Sequence, residues 1–223
     1  MKKPVFYTEP AWLIGLWLLA WGTALTAWAD LGISMVVAPA YVLHLAMVKT
    51  WDWFSFGAGE YVLQAAVLVI MMVILRKVRL RYFLSFLAAI LYGLLLELGV
   101  FLSGCVLPAT PPLSLQIFVY ILGDLGICLG VALMMRTYLA PEVYEMFVKE
   151  IAELGNFRIG TVKTLYDCGS LLVAVILSLV LLGRIEGVGI ATVVCALVNG
   201  FIIEKCGLFF DTFWNFRNLL KKE

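Results

Sequence analysis

The feature that most limits what this chain can become is a set of apolar runs of about 20 residues, each carrying one charge or none. That is the length of helix needed to cross ~30 Å of hydrocarbon. The first runs from Ala11 to Ala29, and a later one, "SLLVAVILSLVLLG" at 170 to 183, is typical of the rest. With 64% hydrophobic and 14% charged residues among 223, the chain is far more apolar than a soluble domain, for which about a quarter of residues are charged. It reads as an all-α polytopic membrane protein, a single membrane domain over 1–223. The first run lacks a convincing small-x-small cleavage site and is followed by further spans, so it reads as a helix and not as a cleavable signal.

Hydropathy places six helices near 11–29, 60–75, 82–102, 113–135, 164–183 and 188–210. Lys and Arg collect on the cytoplasmic side of such proteins. With the N-terminus inside, the inner set is Lys2, Lys3, Arg76, Lys77, Arg79, Arg81, Arg136, Lys149, Arg158, Lys163, Arg217, Lys221 and Lys222, against Lys49 and Arg184 outside. Both termini are therefore predicted to be cytoplasmic.

The two halves repeat each other at an offset near 105 residues. Gly15, Gly22, Ala24 and Leu25 correspond to Gly123, Gly130, Ala132 and Leu133; Phe54 and Gly57 to Phe157 and Gly160; Ala89, Gly93 and Glu97 to Ala196, Gly200 and Glu204. Repeat one covers about 11–102 and repeat two about 113–210. Each holds three spans, so the second must enter the membrane from the opposite side, as in inverted-repeat transporters. The two long connections correspond as well. The segment 33–48 is short for a span, and reads as re-entrant or interfacial. The segment 141–154 carries Val143, Met146, Phe147 and Ile151 on one face and charges opposite, and is predicted to lie on the cytoplasmic surface.

Carboxylates within a bilayer cost roughly 2.5–3.5 kcal/mol on insertion scales, so each must face protein or water. Glu97 and Glu204 are predicted about 8–9 Å inside opposite ends of their helices. Glu60 with Gln64, and Lys163 with Asp167, form i,i+4 pairs at the starts of equivalent helices. Together these groups would line two polar vestibules, or else anchor helix packing. Asp124 falls near the middle of its helix, where a carboxylate is either protonated or paired, which suits proton or cation coupling. Tyr92 and Asn199 occupy equivalent positions beside paired glycines, and His44 is the lone histidine. For Lys205, a carboxylate partner and snorkelling to the inner surface are both open.

The five cysteines form no CxxC pair, and neither a zinc site nor a disulfide framework is indicated. A net charge of +1 argues against nucleic acid. No nucleophile elbow, zinc-protease, Walker or Rossmann motif is present. The expectation is therefore a non-enzyme without a cofactor or metal. Its partners would be membrane lipid and a small solute; Gly123, Gly126 and Gly130 allow close helix approach, which could serve either a bond from Asp124 to a neighbouring helix or a homodimer.

The words "ADLGISMVVAPAYVLHLAM", "FSFGAGEYVLQAAVL", "RTYLAPEVYEMFVKEI" and "KTLYDCGSLLVAVILSLVLLG" resemble the bacterial YczE/YyaS/YitT family of integral membrane proteins, a branch of unknown function. The usual "LGxSPWD" word of that family departs here to "LGISMVV" at 31–37. The resemblance implies a six-span protein of the bacterial inner membrane, often suspected of transport, and supplies no functional residues. Residues and resemblance together favour a secondary transporter, with Asp124 coupling and Glu97 and Glu204 shaping the access routes. A ligand-binding subunit serving a separate ATPase and an accessory scaffold are the alternatives.

Overall fold

The computed structural model describes residues 3–219; Lys2, Lys221 and Lys222 of the charge count lie outside them. Six long apolar helices are present, α1 (Thr8–Ala29), α3 (Phe56–Leu75), α4 (Leu80–Val106), α5 (Leu113–Met134), α7 (Ile159–Leu182) and α8 (Ile190–Phe213), each long and apolar enough to cross a membrane. The molecule is an all-α polytopic membrane protein. Several ends extend past the predicted ones, among them the C-terminal ends of α4 and α8, by four and three residues. Glu97 and Glu204 therefore each stand nine residues, about 13 Å, inside the end of their helix, deeper than the sequence places them.

Two shorter helices fill the long connections: α2 (Ala38–Met47) between α1 and α3, and α6 (Val143–Gly155) between α5 and α7. Neither lies flat on the outside of the bundle. Residues 33–40 are buried throughout, and α2 then runs outward to exposed Lys49 and Thr50. Residues 140–146 are likewise buried, and α6 emerges at exposed Leu154. Each connection thus dips into the bundle as a loop and returns as a half-length helix. For 141–154 this corrects the surface placement expected from its amphipathic pattern. Two acids of its charged face are met by protein: Glu145 contacts Lys163 at 2.7 Å, and Glu150 accepts from the Tyr82 hydroxyl at 2.9 Å and pairs with Arg79 at 3.4 Å.

At the centre of the bundle α1 crosses α5 with their backbones in contact. Gly15 faces Gly130 and Gly22 faces Gly123: a Cβ on Gly123 would stand 2.7 Å from the Gly22 carbonyl, and one on Gly130 2.5 Å from that of Gly15. Around this crossing α4 packs on α1 and α8 on α5, with α2 lying against α7 and α6 against α3. The main core gathers Leu16, Leu19, Met35, Tyr92, Leu96, Ile127, Val131 and Met134 from these elements. Both described chain ends meet on one face, where β1 (Val5–Tyr7) and β2 (Asn215–Arg217) form a parallel pair. This pairing has no counterpart in the hydropathy pattern.

Candidate functional site

The half-helices α2 and α6 both begin inside the bundle, and their starts line one small cleft of about 10 Å³, room for roughly one water molecule. Met35, Val36 and Val37 enter from one side and Glu142 and Glu145 from the other, with Lys163 and Asp167 of α7, Tyr92 of α4, Thr23 of α1 and Asn199 of α8 completing the wall. Gln64 and Asp167 stand eight residues into α3 and α7, about 12 Å from the starts of those helices. The i,i+4 pairs seen in the sequence therefore reach the centre of the bundle, where the half-helix tips meet them.

Gln64 organises one side of this centre. Its carbonyl accepts from the backbone N–H of Val143 at 3.1 Å, one of the N–H groups that the first turn of α6 leaves unpaired. Its amide donates to Glu142 at 3.0 Å and to Glu60 at 3.3 Å. Glu60 also accepts from the Tyr144 hydroxyl at 3.0 Å, and its second oxygen is buried without a partner. On the other side Lys163 contacts Glu145 at 2.7 Å and Asp167 at 3.1 Å. The start of α6 favours negative charge through its dipole, and Glu142 and Glu145 stand there.

The centre therefore holds four carboxylates, Glu60, Glu142, Glu145 and Asp167, and one buried lysine. All five residues are at most 3% exposed. Burial pushes the Glu142 carboxyl well above the ordinary carboxylate range, and its neighbours Glu145 and Glu60 push it further. Tyr92 is buried nearby with its hydroxyl on Thr23 at 3.1 Å.

Asn199 reaches from the wall of this cleft to a second space, and the remaining residues singled out in the sequence lie apart from the cluster. Asp124 accepts from the Asn199 amide at 2.7 Å and lines a second, larger cavity of about 820 Å³ between α1, α5 and α8. Asn199 lines both spaces. Glu97 accepts from the Ser55 hydroxyl at the start of α3 and packs on Gly57. Glu204 packs on Gly160 in the corresponding place. His44 Nδ1 lies 2.7 Å from the Phe54 carbonyl, tying α2 to the start of α3. Lys205 is exposed with its ammonium over the Phe201 ring at 5.2 Å. Glu142, Glu145 and Tyr144 were not singled out from the sequence. A signal for them existed: α6 corresponds to α2 by position between spans, and acids opposite an expected re-entrant tip call for a buried partner.

No group of three or more His, Cys, Asp or Glu arranged to hold a metal occurs among the described residues. No curated protein and no solved structure matches the chain. A sequence model does match residues 6–207, nearly the whole of the six-helix bundle. The chain thus belongs to DUF6198, a family of unknown function.

Proposed function

We propose that the protein is a secondary transporter of a small solute, coupled to protons or another cation at the central carboxylate cluster. The observation that carries the reading is the imbalance of four buried carboxylates against Lys163. Keeping an unpaired ionised carboxylate out of water costs several kcal/mol. The surplus acids therefore need protons or a bound cation while the centre is closed, and can release them when it opens to water. Charge compensation that differs between closed and open states is the requirement for ion-coupled alternating access. This reading moves coupling from Asp124, expected on sequence grounds, to the tips of the half-helices.

Two further observations support the reading. The glycines related by the 108-residue offset meet in a crossed fashion, Gly15 with Gly130 and Gly22 with Gly123, the reciprocal contact pattern that a two-fold axis produces. The half-helices, the i,i+4 pairs and the Glu97–Gly57 and Glu204–Gly160 contacts follow the same relation. We therefore take the halves, about 11–102 and 113–210, as inverted repeats, with the face carrying both described chain ends cytoplasmic. The resemblance to the YczE/YyaS/YitT proteins favours the bacterial inner membrane.

The test is reconstitution in liposomes enclosing a pH-sensitive dye, challenged with pools of small metabolites under an imposed pH gradient. Wild-type protein is expected to move protons with at least one pool, and Glu60→Gln/Glu142→Gln, with unchanged elution, to lose that flux. Full flux in the double variant would remove the cluster from the mechanism. Folded wild-type protein that moves no solute from any pool defeats the transporter reading.

A further inference from the structure

The larger cavity has a composition that selects its occupant. Its walls are aliphatic side chains of α5 and α8, among them Ile121, Leu125, Val194 and Val198. The same side chains are between 41% and 61% exposed, so no other element of the chain closes over this gap between α5 and α8. Two carboxylates line this apolar space, Asp124 midway along α5 and Asp30 just past the end of α1, and its lining holds no lysine, arginine or histidine. The neutral polar groups reinforce the bias. The Asn199 amide is spent on Asp124, and its carbonyl oxygen is buried with no donor, in a residue 2% exposed. The rings of Tyr41 and Tyr120 add faces that attract cations.

An anion entering this space would meet two carboxylates and no basic residue. A sugar or other neutral polyol would set most of its hydroxyls against the apolar walls, beyond the few polar groups at Asp124, Asp30 and Asn199. A molecule with an apolar body and one positive charge satisfies every feature, and 820 Å³ lies within the range of ligand pockets, about 300–1,000 Å³. We infer that the cavity binds a lipophilic monocation, an organic ammonium or phosphonium whose charge sits at Asp124 and whose apolar body fills the gap between α5 and α8. As the assignment of a transported substrate this rests on the transporter reading; as a binding site it does not. Asn199, shared by both linings, then separates the bound cation from the carboxylate cluster.

Tetraphenylphosphonium and tetraphenylborate have the same shape and opposite charge, and their binding to the purified protein in phosphatidylglycerol nanodiscs tests the inference. The phosphonium is expected to bind saturably and at least tenfold more tightly than the borate. Asp124→Asn is expected to weaken it at least tenfold. Val194→Trp, which fills the cavity from its wall and leaves Asp124 in place, is expected to block it, so a folding failure of one variant does not decide the matter. Competition by phosphatidylethanolamine in the disc would identify the ammonium of a lipid headgroup as the natural occupant; absence of competition would point to a free monocationic solute. Equal affinity for both ions, or undiminished phosphonium binding in a folded variant of either kind, overturns the inference. Phosphonium binding without any solute-driven flux defeats the transporter reading alone, and flux of a neutral solute without phosphonium binding defeats the cation site alone.

Discussion

A single amide, Gln64, decides how acids on two elements share one space. With its carbonyl on the Val143 N–H, both of its N–H bonds face Glu142 and Glu60, and the two carboxyls are held together instead of splaying apart. Glu142 also faces Glu145 on its own helix, Lys163 on α7 and Tyr92 on α4. Its raised affinity for a proton makes stability depend on pH with a definite sign. In the unfolded chain the group gives up its proton near its ordinary value of 4.5, while in the folded protein it holds the proton to higher pH. Between those two points the folded state binds more protons, so the stabilisation is full below about 4.5 and is lost as pH rises through the folded value. The thermal midpoint of the detergent-solubilised protein is expected to fall as pH rises above 4.5, and Glu142→Gln to flatten that slope. A wild-type midpoint that rises over the same interval would contradict the placement of this carboxyl.

At the scale of elements, two close approaches set the architecture, and they differ in how readable they were. The crossing of α1 and α5 leaves no room for a Cβ at Gly15, Gly22, Gly123 or Gly130, whereas Gly104 and Gly169 have open space around them. Gly123→Ala is expected to cost about 1–3 kcal/mol by overpacking. Gly169→Ala is expected to gain up to about 1 kcal/mol from helix propensity. Denaturant titration of helicity in micelles measures both, and similar effects at the two sites would dissolve the distinction. The glycine spacing was visible in the sequence, since a residue type at a fixed offset survives translation into a pattern. The path of α6 was not. Its alternation of Val143 and Met146 with Glu145 and Glu150 is the pattern of a helix at a water boundary, and periodicity cannot distinguish a polar face met by water from one met by Lys163, Tyr82 and Arg79. Only the three-dimensional arrangement puts those partners opposite the acids. Asp124 shows the converse: its isolation in the sequence made it conspicuous, while its partner Asn199 comes from a segment far away along the chain.

For the whole molecule, the spans were legible because hydrocarbon imposes one length on every helix that crosses it, and the charge asymmetry follows from the same barrier. Alkaline phosphatase fused after Ala109, in the turn between α4 and α5, is expected to be active in a bacterial host. Fusion after Lys77, between α3 and α4, is expected to be inactive there but fluorescent when the fusion partner is a green fluorescent protein. The reverse pattern would invert the assignment of faces. What hydropathy had no means to show is the ladder of β1 and β2, with Val5 beside Asn215 and Tyr7 beside Arg217. That ladder makes the fold a ring opened at one point. Beyond the packing of α1 on α5, the halves are joined along the chain at 107–112 and brought together again at the ladder. A gene beginning at the second half and ending with the first, its old ends joined by a linker, is expected to keep the helix packing, with the helicity and elution of the purified product as the check.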